Sequence, residues 1–141
     1  MSIRSLRTMV ARQELVTAPK TATVREATRA MKLHNVGAML VVDGMRLTGI
    51  FTERDAVQRV LAADLDADAT RLADVMTAHP QTMHPDEPFV HALRAMHQGR
   101  FRHMPVVEFD RPLGVVSVRD ALGDDLAALR EILEQQEDSL Y

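Results

Sequence analysis

The sequence contains one seven-residue pattern twice: Gly49-Ile50-Phe51-Thr52-Glu53-Arg54-Asp55 and Gly114-Val115-Val116-Ser117-Val118-Arg119-Asp120. In each stretch, a glycine and two apolar residues lead to a hydroxyl residue, and an aspartate follows three positions later. When the sequence is shifted by 65 residues, positions 17–59 align with 82–124 without a gap, and 13 of the 43 pairs are identical. A match of this length and quality indicates a tandem duplication.

Each copy has the same predicted order of elements, namely strand, helix, strand, strand, helix. The apolar runs do not alternate with polar residues, which indicates strands that are buried on both faces. In the first copy, the predicted strands cover 15–17, 37–42 and 47–51, and the helices begin near Thr23 and at Asp55. In the second copy, the predicted strands cover 81–83, 104–107 and 113–116, and the helices begin near Pro88 and at Asp120.

This organisation predicts an α+β fold built from two tandem strand-helix-strand-strand-helix repeats. The predicted segments are a first repeat over 5–62, a linker over 63–71, a second repeat over 72–125 and a C-terminal helical tail over 126–141. One copy of about 55 residues buries too little surface to be stable alone, so we expect the two copies to share a core.

An apolar stripe runs along the helix that continues into the tail. Its leucines are three or four residues apart, as on one face of a helix: Leu122, Leu126, Leu129 and Leu133. The stripe either packs on its own domain or contacts a second copy of the chain.

Composition excludes several classes of protein. Hydrophobic residues make up 46% and charged residues 26%, which is typical of globular domains. The absence of cysteine excludes disulfide scaffolds and thiolate metal sites and agrees with a reducing, cytoplasmic location. A net charge of −3 argues against a nucleic-acid partner. The longest apolar run, 36–42, is too short to span a membrane, and residues 1–10 lack the apolar segment of a secretory signal.

The histidines and acidic residues do not form a recognisable reactive site. No two of the six histidines are three or four residues apart, so no metal site is predicted. No nucleophile or general base stands in a known catalytic spacing, so we do not expect an enzyme.

The repeated motif suits either a helix cap or an anion site. A hydroxyl followed three residues later by an acid forms a capping box, which satisfies the free amides of a first helical turn. The same amides attract phosphate, and the hydroxyl of Thr52 or Ser117 could reach that phosphate. The carboxylate of Asp55 or Asp120 could accept hydrogen bonds from the two hydroxyls of a ribose. The glycine before each motif is expected to leave room for a ligand against the backbone.

Two cationic residues distinguish the second copy from the first. Arg102 and His103 precede its apolar strand, where the first copy has Gly37 and Ala38. Cations beside a phosphate site would form charge-assisted hydrogen bonds, so we expect the second copy to bind phosphate better. The alternative is that Arg102 and His103 are an exposed entry to the strand.

The duplicated element order and motifs resemble a pair of cystathionine-β-synthase (CBS) domains, over about residues 5–125. The resemblance rests on Val41-Val42-Asp43 with Gly49, Thr52 and Asp55, and on Pro105-Val106-Val107-Glu108 with Gly114, Ser117 and Asp120. It implies two repeats packed through their sheets, clefts between them that bind an adenosine nucleotide such as AMP, ADP or ATP, and a homodimer. No tightly bound cofactor is implied.

The resemblance also implies roles for single residues. Asp55 and Asp120 would bind ribose, Thr52 and Ser117 would bind phosphate, and Arg102 and His103 would add phosphate contacts. The adenine slot would come from the leading segment of the opposite copy, around Val16 for one site and Gln81 for the other.

Two functions remain open from the sequence. The first is a standalone regulatory module that binds an adenosine nucleotide and signals to an unidentified partner protein. The second is a ligand-free dimeric interaction module whose clefts are vestigial.

Overall fold

The predicted helix, strand and strand follow one another in both copies. The computed structural model describes the backbone of residues 4–139 and the side chains of residues 4–136, so residues 140–141 of the predicted tail lie outside it. From the N-terminus to the linker, the elements are α1 (Leu6–Val10), β1 (Thr17–Ala18), α2 (Val24–His34), β2 (Ala38–Asp43), β3 (Arg46–Thr52) and α3 (Glu53–Asp55), which continues as a π-helix (Ala56–Leu61). The remaining elements are α4 (Leu72–Val75), β4 (Thr77–Ala78), α5 (Phe89–Gly99), β5 (His103–Glu108), β6 (Arg111–Ser117), a 3₁₀ turn (Val118–Asp120) and α6 (Gly123–Ser139).

A four-stranded sheet forms the first of two compact units, which comprises residues 14–81 and 107–112. Strand β1 pairs in parallel with β2, while β3 is antiparallel to both β2 and β4. The β2–β3 turn passes through Gly44 at a φ of 61°, a left-handed conformation that glycine adopts without steric cost. The core lies between the sheet and α2 and contains Val24, Ala27, Met31, Met39, Val41, Phe51, Val60, Leu72 and Val75.

The start of α2 is fixed by its cap and by the predicted linker. The side chain of Thr23 accepts a hydrogen bond from the amide of Glu26, so the helix begins where its sequence predicted. Within the linker, the carbonyls of Ala67 and Thr70 accept from the first amides of α2. The ion pair of Arg25 with Asp68 raises the pKa of the arginine, chiefly through its hydrogen bond. The linker is therefore folded against the first unit.

The second unit contains α1 as well as most of the second repeat. It comprises residues 4–13, 82–106 and 113–139 of the described chain. Helix α1 contributes Leu6 and Val10 to a core with Phe89, Ala92, Leu93, Met96, Met104, Val106 and Val116. The sequence assigned residues from position 5 onward to the first repeat, whereas the structure packs α1 on the second. The predicted segment boundaries remain a prediction.

Two elements of the second copy differ from their predictions. The predicted strand 81–83 is reduced to one parallel bridge between Met83 and Val106. The helix predicted from Asp120 is wrong, because only a 3₁₀ turn ends there. Ala121 is extended at a ψ of 133°, and α6 begins at Gly123.

The predicted leucine stripe is divided between the core and the surface, and its first residue, Leu122, precedes α6. Leu129 packs against the second core, while Leu122 and Leu126 are exposed. Among the helices within residues 4–139, none has both the length and the apolar character that a membrane crossing requires.

Candidate functional site

The first-repeat motif forms a closed capping box. The amide and hydroxyl of Thr52 both donate to Oδ2 of Asp55, at 2.9 and 3.1 Å, and the amide of Asp55 donates back to the hydroxyl at 3.3 Å. The other carboxylate oxygen, Oδ1, lies 3.5 Å from Nε of Arg59, and the Asp55 side chain is only 13% exposed. Arg59 is held in turn by the carbonyls of Val75 and Met76. Both oxygens of Asp55 therefore have partners within the protein.

The second-repeat motif leaves one carboxylate oxygen open. Oδ2 of Asp120 accepts from the amide of Ser117 at 2.8 Å, and the Ser117 hydroxyl accepts from the amide of Arg119 at 3.2 Å. Asp120 is exposed, and within residues 4–136 its Oδ1 has no hydrogen-bond partner. At the position equivalent to Arg59, this copy carries Asp124, so no cation follows one turn later. Asp120 is thus free to accept further hydrogen bonds where Asp55 is not.

The same backbone hydrogen bond joins each motif to the residue that precedes the first strand of its antiparallel pair, β2 or β5. The amide of Glu53 donates to the carbonyl of Gly37 at 3.0 Å, and the amide of Val118 donates to the carbonyl of Arg102 at 3.2 Å. Arg102 is exposed and His103 is half-buried at the first position of β5. The main chain at Arg102 therefore lies beside the segment of Ser117 and Val118, and the residues equivalent to Arg102 and His103 in the first copy, Gly37 and Ala38, carry no cationic side chain.

Val16 and Gln81 both lie in the first unit. The carbonyl of Val16 accepts from the amide of Leu40 at 3.2 Å, and its half-buried side chain packs against the first core. Gln81 is exposed. Their role as an adenine slot for the opposite copy remains a prediction.

The expectation that the motif glycines leave space for a ligand is wrong. A Cβ atom at Gly49 would lie 2.5 Å from Sδ of Met76, and one at Gly114 would lie 2.6 Å from Cβ of Val10 and from Oε1 of Gln13. The protein itself fills both spaces. These positions need glycine because neighbouring side chains pack directly against the strand.

Sequence reasoning missed two residues that flank α1 and contact the second-repeat motif, Arg4 and Gln13. The amide group of Gln13 extends β6 like a short strand: Nε2 donates to the carbonyl of Val115 at 2.7 Å, and Oε1 accepts from its amide at 2.9 Å. Arg4 donates to the carbonyl of Asp120 at 2.6 Å. More than 100 residues separate these partners, and no spacing in one sequence links them.

A family comparison identifies what these repeated elements are. The family model described as "CBS domain" matches residues 6–62 and again residues 72–126. The chain belongs to the CBS-domain family. It carries two CBS domains in tandem, which is the arrangement of a regulatory CBS-domain pair, and this confirms the predicted α+β repeat fold.

Individual relatives agree with this assignment. The chain is 34% identical over 121 residues to the CBS domain-containing protein CBSCBSPB1 of Arabidopsis thaliana; the match covers 85% of this chain and 22% of that protein. This CBS-domain pair therefore spans about a fifth of the length of that relative.

Two solved structures share both the fold and the length of this CBS-domain pair. The CBS domain protein PAE2072 from Pyrobaculum aerophilum, complexed with AMP, has a TM-score of 0.80 and 26% identity over 92% of this chain and 99% of that one. The CBS domain pair of protein MJ0100, in complex with 5-methylthioadenosine and S-adenosyl-L-methionine, has a TM-score of 0.74 and 25% identity over 92% and 98% of the two chains.

Proposed function

We propose that this CBS-domain pair is a cytoplasmic regulatory module that binds an adenosine nucleotide at its second-repeat motif and acts on a partner protein. The observation that carries the proposal is the open oxygen of exposed Asp120, beside the Ser117 hydroxyl and the Arg102 main chain. A carboxylate with a free oxygen can accept from a ribose hydroxyl, and a nearby guanidinium can pair with phosphate. The adenosine ligands of the two solved relatives support this ligand class.

The first-repeat motif is the weaker candidate for nucleotide. Its carboxylate already accepts from Thr52 and pairs with Arg59, so a ribose would have to displace contacts within the protein. Its strand begins after Gly37 instead of an arginine. We therefore expect one nucleotide per chain at moderate ligand concentration.

The test is nucleotide binding by calorimetry with a matched pair of variants. In Asp120→Asn, the amide oxygen can still cap the Ser117 amide, but the charge that would hold the ribose is lost. We expect AMP affinity to fall about tenfold or more in this variant, because hydrogen bonds to a charged group are the stronger ones. Asp55→Asn makes the same change in the first repeat and should leave the affinity unchanged.

A second comparison separates phosphate recognition from adenosine recognition. Arg102→Ala should weaken AMP and leave 5-methylthioadenosine, which has no phosphate, unaffected. Equal losses in Asp120→Asn and Asp55→Asn, or equal losses of both ligands in Arg102→Ala, would contradict these assignments.

A dimeric interaction module without ligand is the second candidate, and one observation favours it. Val57 and Leu61 are exposed after the first motif, and the residues 65 positions later, Leu122 and Leu126, are exposed after the second. Apolar pairs repeated at equivalent surface positions suit contact with a second copy. The ligands to test on folded, nucleotide-free protein are AMP, ADP, ATP, S-adenosylmethionine and 5-methylthioadenosine. If none of them binds, the dimeric interaction module is the remaining candidate.

A further inference from the structure

The main chain of Arg4 is fixed to the segment that leads into α5. Its carbonyl accepts from the amide of Phe89 at 2.7 Å. Two residues later, the amide of Leu6 donates to the carbonyl of Glu87 at 3.0 Å. The guanidinium carbon lies 5.1 Å from the centroid of the Phe89 ring, which is fully buried. The ring and the backbone together leave the arginine head little freedom to move.

The head of Arg4 joins the motif to the start of α6. Its Nη2 atom donates to the carbonyl of Asp120 at 2.6 Å and to Oδ2 of Asp125 at 2.5 Å. The same Oδ2 accepts from the amide of Leu122 at 2.8 Å. One guanidinium therefore holds both ends of the segment 120–125.

Asp125 is the charged partner of Arg4, whose position is also fixed by its own main chain and by the Phe89 ring. Its side chain is 9% exposed, the least exposed of the described carboxylates that form ion pairs. Burial by itself would raise the pKa of Asp125, but the hydrogen bonds from Arg4 and from the Leu122 amide, with the charge of Arg4, lower the pKa overall. Asp125 is therefore ionised at neutral pH, where it forms an ion pair with Arg4.

The second copy needs this contact because its helix is interrupted. After the first motif the chain continues directly as helix through Ala56, whereas after the second motif Ala121 is extended. The carbonyl of Asp120 thus lies before the start of α6, and Arg4 provides a donor that a continuous helix would have supplied.

We infer that Arg4 is a positioning residue for Asp120: it fixes the main chain at the motif so that the carboxylate stays aligned for ligand. The inference rests on the proposed nucleotide site and adds that the N-terminal segment controls its geometry. A nucleotide that orders Asp120 would in turn favour the docked state of residues 4–7 and of the α6 start.

The experiment compares two variants that differ only at residue 4. Asp125→Asn removes the buried charge, keeps an oxygen for the Leu122 amide and retains the Arg4 donor to Asp120. Arg4→Met/Asp125→Asn also removes that donor, while the methionine replaces the arginine's apolar stem and no charge is left unpaired. Arg7→Ala, in which an exposed ion pair of the same segment with Asp86 is lost, is the control.

Two readouts are measured on each 141-residue variant: AMP affinity by calorimetry and hydrogen exchange of individual amides. We expect Asp125→Asn and Arg7→Ala to bind AMP within about twofold of the unmodified protein, and the double variant to bind about tenfold more weakly, the size of one charge-assisted hydrogen bond. The Ser117 amide, which donates to Asp120, should exchange about tenfold faster in the double variant. The Glu53 amide of the first repeat should exchange at the same rate in all of them.

The outcomes separate the inference from the proposed function. Equal AMP affinity in Asp125→Asn and the double variant would overturn the positioning role while the nucleotide site stands. If the unmodified protein binds no nucleotide, the proposed function fails, and the Ser117 exchange rate alone decides: equal rates in the two variants overturn the role of Arg4, and faster exchange in the double variant supports it. If the double variant melts at a much lower temperature than Asp125→Asn, it is replaced by Arg4→Lys/Asp125→Asn. The lysine keeps the charge of the arginine but not its planar fork, and the expected AMP affinity and exchange rates are the same.

Discussion

Replacement of Gly114 by alanine should destabilise the second unit through a single methyl group. The new Cβ atom would lie 2.6 Å from Cβ and 2.7 Å from Cγ1 of Val10, whereas carbon atoms in contact prefer about 3.5–4.0 Å. About 1 Å of movement is therefore needed. Val10 cannot move alone, because its helix is tied to the rest of the unit by the amides of Leu6 and Arg7.

The cost follows from that packing. Overpacking a core typically costs about 1–3 kcal/mol. The movement would also disturb Gln13, whose side chain holds both polar groups of Val115. For a chain of this size, about 4 °C is lost per kcal/mol, so thermal unfolding followed by circular dichroism should show a decrease of roughly 4–12 °C.

Two other glycines serve as controls for the Gly114→Ala experiment. No atom lies within 4 Å of a Cβ at Gly123, at the start of α6, so Gly123→Ala should be neutral or slightly stabilising. A Cβ at Gly49 would lie 2.5 Å from the sulfur of Met76, a flexible side chain that can move, and 3.1 Å from the carbonyl oxygen of Thr77. Because its shortest contact is with this movable side chain, Gly49→Ala should cost less than Gly114→Ala. A melting temperature of Gly114→Ala within 1 °C or so of the unmodified protein, or a larger loss in Gly49→Ala, would refute the packing explanation.

Three further predictions concern acid stability, helix ending and assembly. The pKa of Asp125 in the folded state is below its ordinary value of 3.8, so the ionised carboxylate stabilises the fold above pH 3.8, and this stabilisation is lost as the pH falls below 3.8. The melting temperature of Asp125→Asn should therefore decrease less between about pH 5 and about pH 3 than that of the unmodified protein. Arg100 ends α5 at a φ of 56°, so Arg100→Gly should stabilise the protein against urea by about 0.5–1 kcal/mol while Arg100→Ala should not. Leu61→Glu and Leu126→Glu should each shift sedimentation toward monomer, whereas Leu33→Glu, at an exposed leucine whose equivalent is Gln98, should leave the distribution unchanged; identical profiles for all three would contradict a dimer through the repeated apolar pairs.

Local signals in the sequence were sufficient for the helix, strand and strand at the centre of each repeat. The duplication, the Thr23 cap and the turn at Gly44 are each encoded within a few neighbouring residues, and the structure has all three. Both motifs form the capping box that was one of the two expectations for them, and the sequence could show it because the hydroxyl and carboxylate that form each box are three residues apart.

The interruption after Asp120 could not be predicted, because the two motifs are locally alike. The difference comes from the contacts of each motif with the rest of its unit. Arg4 donates a hydrogen bond to the carbonyl of Asp120, and the carboxylate of Asp125 accepts one from the amide of Leu122, so the helix starts again at Gly123. These contacts depend on a residue more than 100 positions away. For the same reason, the attachment of α1 to the second core was not visible in a pattern that assigned position 5 onward to the first repeat.

Because α1 packs in the second unit, the second sequence repeat and the second compact unit do not consist of the same residues. The repeat covers residues 72–125, whereas the compact unit also needs residues 4–13. A fragment that begins at residue 72 would contain the whole second repeat yet lack Leu6 and Val10, and the core around Phe89 would be open to water. A shortened chain in which residues 4–13 lead directly into residue 82 would instead keep the residues of that core together. Insertions or fusions ahead of Arg4 therefore act on the second repeat first, although the first repeat is nearer in sequence.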